Sequence, residues 1–237
     1  MKAEELFRAG KLDEAIESLG GELRSNPADA QRRVFLFELL CFAGDHDRAA
    51  KQLDVLGGGG RQAQMGALLY QGALNAERMR QEMFSQSSYP RSAAPTAAGT
   101  VNGRSFRSIT DADPRIGARL EVFAGGRYLW VPFVHIASVR MQPPQRLRDL
   151  LWAPALVRTG PGFKDVELGE VLTPVLAPLS WQDPDPEVRL GRVTDWVRLD
   201  DGGEVPLGQK LLLVDGEELP ILEVRELEIA PVAAPAA

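Results

Sequence analysis

"FRAGKLDEAIESL" fills residues 7–19, and thirty-four residues further on, at 41–53, the chain reads "CFAGDHDRAAKQL". Five of the thirteen aligned positions are identical: Ala9 with Ala43, Gly10 with Gly44, Asp13 with Asp47, Ala15 with Ala49, and Leu19 with Leu53. A 34-residue period with a small residue at the turn and Ala where two helices touch is the signature of a tetratricopeptide-type helix pair. One such pair cannot bury its own apolar face, so pairs must stack. The match is degenerate: Leu12 becomes His46, and Pro27 is answered by Arg61 in the second copy. A generic stack of helical hairpins is the alternative.

Outward from this repeat, apolar residues recur at helical intervals from residue 1 to about 84, and "SNPAD" at 25–29 and "GGGG" at 57–60 break the helices. Residues 85–100, "SQSSYPRSAAPTAAGT", have the composition of a linker. Beyond it the texture becomes strand-like. "RLEVFAGGRYLWVPF" at 119–133 reads as a hairpin in which Leu120 and Val122 face Tyr128 and Trp130. Further strands are expected at "HIASVRM", "PALVRT", "VLTPVL", "GRVTDWVRL", "KLLLVD" and "ILEVRELEIA", the last two joined as a hairpin through Asp215 and Gly216. Helical turns are expected near Asp113–Pro114 and at "PQRLRDLLW". The expected fold is α+β: a tetratricopeptide-like helical domain over 1–84, a linker over 85–100, a mostly β domain over 101–231 forming a small barrel or bent sheet, and a frayed tail over 232–237.

A net charge of -6 supplies no basic face for phosphate contacts, which argues against nucleic-acid binding. The single cysteine, Cys41, allows no internal disulfide, no apolar run is long enough to cross a membrane, and "MKAEELFRAG" is not a secretory signal. A cytoplasmic location is expected. His46 and His135 lie far apart in sequence and the chain has a single Cys, which disfavours a catalytic triad or a zinc site. Asp111 and Asp113 are spaced to reach one divalent cation from a loop, with Arg115 completing a small-molecule module, yet the pair reads better as the entry to a helical turn. "GFKDVELGE" and "LDDGGE" lack the context of a phosphate loop. No enzyme, cofactor or metal is expected. Large aromatics crowd the second half, from Phe123 to Trp196, and most are expected in the core.

The run "DADPRIGARLEVFAGGRYLWVPFVHIASVRMQPPQRLRDLLWAPA", followed by "LGRVTDWV", "PLGQKLLLVDGEELP" and "ILEVRELE", resembles the ImpE family, also called TagJ or SciE-type, accessory components of bacterial type VI secretion systems. The opening "AEELFRAGKLDEAI" and "NPADAQRRVFLFELLCFAGDHDRA" are similar to that family's first repeats. The resemblance implies a non-enzymatic adaptor that binds the N-terminal helix of the small sheath subunit, TssB, and links the sheath to assembly or to recycling by the ClpV unfoldase. A helix-pair stack has a concave face suited to an amphipathic helix. In the repeat frame the groove residues are Phe7, Arg8, Val34, Glu38, Phe42 and Leu68, with Glu4, Gln31, Cys41 and Met65 beside them. The competing reading places a small-molecule or metal-binding module in the β domain.

Overall fold

The computed structural model describes residues 2–160, 168–199 and 202–231. The expected frayed tail, and the parts of "GFKDVELGE" and "LDDGGE" at 162–167 and 200–201, lie outside the described residues.

The repeat becomes two helical hairpins and a long fifth helix: α1 (Ala3–Arg8), α2 (Leu12–Ser25), α3 (Ala30–Phe42), α4 (His46–Gly57) and α5 (Arg61–Ser85). The 34-residue period survives in the backbone of the two turns. Gly10 and Gly44 both take positive φ, at 76° and 72°. Behind them Lys11 N–H donates to Leu6 O and Asp45 N–H to Leu40 O, each at 2.9 Å, so the two helices end in the same six-residue closure. Asp29 and Asp45 cap α3 and α4 by accepting from the N–H groups of Arg32 and Arg48. Ala15 and Ala49 are fully buried where the paired helices touch.

The second half is mostly β. Its strands are β1 (Gly99–Val101), β2 (Arg104–Phe106), β3 (Ile109–Asp111), β4 (Arg119–Ala124), β5 (Arg127–Pro132), β6 (Ile136–Met141), β7 (Trp152–Thr159), β8 (Gly169–Pro174), β9 (Thr194–Arg198), β10 (Glu204–Gly208), β11 (Leu211–Val214), β12 (Glu217–Pro220) and β13 (Glu226–Ile229). Eight of them form one antiparallel sheet in the order β2-β1-β13-β6-β7-β8-β4-β5, which does not close on itself. Two small sheets, β12-β11-β3 and β10-β9, flank it. A four-residue helix, α6 (Pro186–Arg189), lies between β8 and β9.

Two local expectations need correction. In the first hairpin Leu120 pairs with Val131 and Val122 with Leu129, while Tyr128 and Trp130 face Phe123 and Glu121. The register is one residue from the expected one because the turn is the tight pair Gly125–Gly126, closed by Ala124 and Arg127. The partner of β11 is β12, not the later run, since "ILE" at 221–223 winds into a 3-10 turn before β13 begins. Near Asp113 the expected helical turn is a single one, with Asp113 O accepting from the Ile116 and Gly117 N–H groups at 3.0 and 3.1 Å and its carboxylate from the Arg115 N–H. The expected turn in "PQRLRDLLW" is a 3-10 turn over Leu147–Leu150.

One hydrophobic cluster holds the helices together and runs on into the β half through Phe123, Leu151, Trp152, Leu172 and Leu190. A second lies inside the β half, on the opposite face of the large sheet. Strand β7 shows the division: Ala153, Ala155 and Val157 are buried in that second core, while Pro154, Leu156 and Arg158 point to the other side and are exposed. That other side is the one the helices partly cover.

Candidate functional site

The residues placed on a groove by the repeat frame fall into three places. In the middle, Glu38 is 6% exposed and Phe42 1%. The segment from Leu147 to Trp152 lies over this part of the helical layer, with Leu147, Leu150, Leu151 and Trp152 joining its hydrophobic cluster. Glu38 meets Arg148 at 3.2 Å, and the Arg148 guanidinium sits 4.9 Å from the centre of the Tyr70 ring. Burial pushes the Glu38 carboxyl up to about 7 against the pull of the Arg148 charge. Trp152 stacks on Tyr70 at 6.3 Å and donates from Nε1 to Glu77 at 3.1 Å. Val34 is half-buried on α3. The centre of the expected groove is therefore filled by the chain itself, and sequence periodicity had no means of showing it, because the covering segment is more than a hundred residues away.

Two openings remain, one at each end of the covered part. The first, a cleft of about 470 Å³ between α1, α2 and α3, has Phe7, Leu19, Phe35 and Leu147 as its apolar floor and Glu4, Arg8, Gln31 and Arg32 on its rim. Phe7 and Phe35 meet edge to face at 5.6 Å. Arg192 covers the Phe7 ring at 5.1 Å and donates to the Phe7 and Arg8 carbonyls, closing the C-terminus of α1.

The second is a trough of about 810 Å³ between the N-terminal half of α5 and the outer side of β7 and β8. Leu68, Leu69 and Ala73 form one wall, and Phe123, Pro154, Leu156 and Leu172 the other, with Arg140 and Glu170 at the edge. Leu68 is 67% exposed, Met65 64% and Leu69 56%, an unusual density of large apolar side chains in water within five residues of helix. Beside the trough α5 comes closest to the sheet at one pinch point. There a Cβ on Gly72 would lie 3.3 Å from Gly126 Cα, and Asn75 donates to Gly126 O at 3.1 Å. Tyr70, just before that point, still reaches β7 by stacking on Trp152.

The residues of the competing reading are already engaged. Asp113 forms a two-pronged pair with Arg115, and Asp111 is paired with Lys210. Among the described residues no group of three or more His, Cys, Asp or Glu side chains is arranged to hold a metal ion. No helix among them is long and apolar enough to cross a membrane. Of the aromatics, Phe123, Phe133 and Trp152 are buried, whereas Trp196 is exposed on β9.

The family described as "ImpE protein" matches residues 103–228, from the β1–β2 turn to β13. The type VI secretion system accessory component TagJ of Pseudomonas aeruginosa is 33% identical over 98% of this chain and 92% of its own length. The chain belongs to the ImpE family. Within it, the similarity to TagJ takes in the helices as well as the ImpE match, so both walls of the trough fall inside the related region. The ImpE fold recurs in the crystal structure of protein VPA1032 from Vibrio parahaemolyticus, with a TM-score of 0.84 at 23% identity over 98% of each chain.

Proposed function

We propose that this ImpE-family chain is a non-enzymatic adaptor of type VI secretion that captures the N-terminal helix of the small sheath subunit, TssB, and thereby ties the sheath to assembly or to ClpV-driven recycling. The supporting observation is the open apolar trough beside Leu68, in a chain related over nearly its whole length to a type VI accessory component. An amphipathic helix presents apolar residues at i, i+3, i+4 and i+7, which is the pattern an apolar trough between a helix and a sheet receives. Complete burial of a Leu side chain yields about 1.5–3 kcal/mol, so Leu68 and Leu69 act as anchors that contribute part of the roughly 8 kcal/mol micromolar capture requires, the remainder coming from the opposite wall. Phe7 and Arg8 border the cleft between α1, α2 and α3 and serve as the comparison site. Phe42 and Glu38 are unsuitable probes, since replacing either disturbs the core.

A peptide with the sequence of the sheath subunit's N-terminal helix tests this by calorimetry. The wild-type protein binds it, and Leu68→Glu weakens binding at least about tenfold, equivalent to about 1.4 kcal/mol. The circular dichroism of that variant stays unchanged because the position is exposed. Full affinity in Leu68→Glu with loss in Arg8→Glu moves the site to the cleft at Phe7. A wild-type protein that ignores the peptide ends the adaptor reading.

A further inference from the structure

Further along α5, past Gly72, the helix is joined to the sheet by a chain of buried charges. Arg80 of α5 donates to both oxygens of Glu121 on β4, at 2.7 and 3.1 Å, and to the Leu176 carbonyl at 2.9 Å. It also meets Glu77, one helical turn back, at 3.2 Å. On the far side of Glu121, Lys210 bridges Glu121 and Asp111. The Tyr128 hydroxyl donates to Glu121, and Trp152 to Glu77. Arg80, Lys210, Asp111 and Glu121 are each no more than 2% exposed.

The bonded chain holds three carboxylates, Glu77, Glu121 and Asp111, and two cations, Arg80 and Lys210. Its neighbours do not correct the imbalance. Asp113 beside Asp111 is matched by its own partner Arg115, and Arg119, at the start of β4, spends its guanidinium on the Ile116 and Ser92 carbonyls. An uncompensated negative charge sealed from water is costly, and a carboxylate in that position takes up a proton instead. Asp111 is the carboxylate placed to do so. Glu121 has two cations in contact, whereas Asp111 has only Lys210, which it shares.

We propose that this chain of charges is a proton-operated latch between α5 and the sheet, which closes fully only with a proton on Asp111. Its titration agrees with the geometry. Burial raises the Asp111 carboxyl to about 7, with Lys210 pulling it down and Glu121 and Asp113 pushing it up. For Glu121 burial acts in the raising direction too, but Arg80 and Lys210 outweigh it and bring the group to about 2. Asp111 is thus raised on folding from 3.8, and the stability it lends is complete below that value and lost as pH rises through about 7. Glu121 acts oppositely, only below its ordinary 4.5, so the two do not overlap near neutrality.

The test is thermal unfolding of the full chain between pH 5 and 8.5, on a background of Glu38→Gln, which removes the other carboxyl that titrates near 7. The Glu38→Gln protein is expected to lose about 2–4 °C or more in Tm as pH rises from 5 to about 7 and to level off above it. Adding Asp111→Asn flattens that slope. Parallel slopes with and without Asp111→Asn overturn the latch. Should the Asn variant fail to fold, infrared spectroscopy of the Glu38→Gln protein decides. A protonated-carboxyl band at pH 6 that fades toward pH 8 supports the latch, and its absence at pH 6 overturns it.

Discussion

At Gly44 two demands meet that a sequence shows only singly. Its φ of 72° is the left-handed turn that ends α3, and a Cβ there would lie 2.5 Å from the Trp181 ring. Gly10 repeats the arrangement thirty-four residues earlier, its Cβ position occupied by Glu187 Oε1 at 2.1 Å. Each turn of the repeat is thus a seat for the segment around α6, which is further held by Arg189 reaching Asp13 at 2.9 and 3.1 Å. Gly44→Ala should therefore cost more than backbone strain alone: about 1–2 kcal/mol for the left-handed residue and about 1–3 kcal/mol for overpacking against Trp181. Gly103, at φ 80° with nothing within 4 Å of its Cβ position, is the control, and Gly103→Ala should show only the first contribution. Urea denaturation of the two variants gives the comparison, and equal costs would mean that Trp181 simply moves aside. The glycine pair was legible in the sequence because a turn is a local event. Trp181 was not, because nothing in the spelling of "LSWQDPDP" says which helix end it will meet.

For whole elements the same contrast holds. The helical period located α1 to α5, and the β-rich runs located most strands, since both follow from alternation between water and core. Periodicity shows that a face is apolar without showing what covers it. For α3 the cover is the segment ending in Trp152, a residue that also donates to Glu77 and so finishes the α5 side of the contact. Trp152→Phe keeps most of the ring but removes that donor, leaving a buried carboxylate oxygen short of a partner, at a cost of about 1–3 kcal/mol. Trp152→Ala adds a cavity and should cost about 3–5 kcal/mol. Chemical denaturation separates the two values. A Phe variant as stable as the wild type would show that the Nε1 bond contributes nothing net. For α5 the uncovered face is the informative one: Leu68 was placed on a groove by its repeat position, but the opposing wall on β7 and β8 came into view only with the sheet order.

Taken as one molecule, the chain carries a hydrophobic cluster across the point where its composition changes. Linker-like residues 85–100 separate helices from strands in sequence, yet five side chains from the β half, Phe123, Leu151, Trp152, Leu172 and Leu190, are buried in the helical cluster. At about 1.5–3 kcal/mol for each large apolar side chain, those five contribute roughly 8–15 kcal/mol, as much as the entire net stability of an ordinary domain at about 5–15 kcal/mol. The Arg80–Glu121 and Trp152–Glu77 bonds cross the same boundary. A fragment of residues 1–98 should therefore lack a cooperative fold of its own, while the full chain unfolds in a single step. Circular dichroism and calorimetry on both make the comparison: the fragment is expected to show reduced helicity without a sharp transition, and the full chain one transition with agreeing calorimetric and van't Hoff enthalpies. Two resolved transitions, or a fragment that melts sharply, would mean that the helical layer stands alone. The trough beside Leu68 would then be a gap between two independent bodies, with a width that neither half fixes.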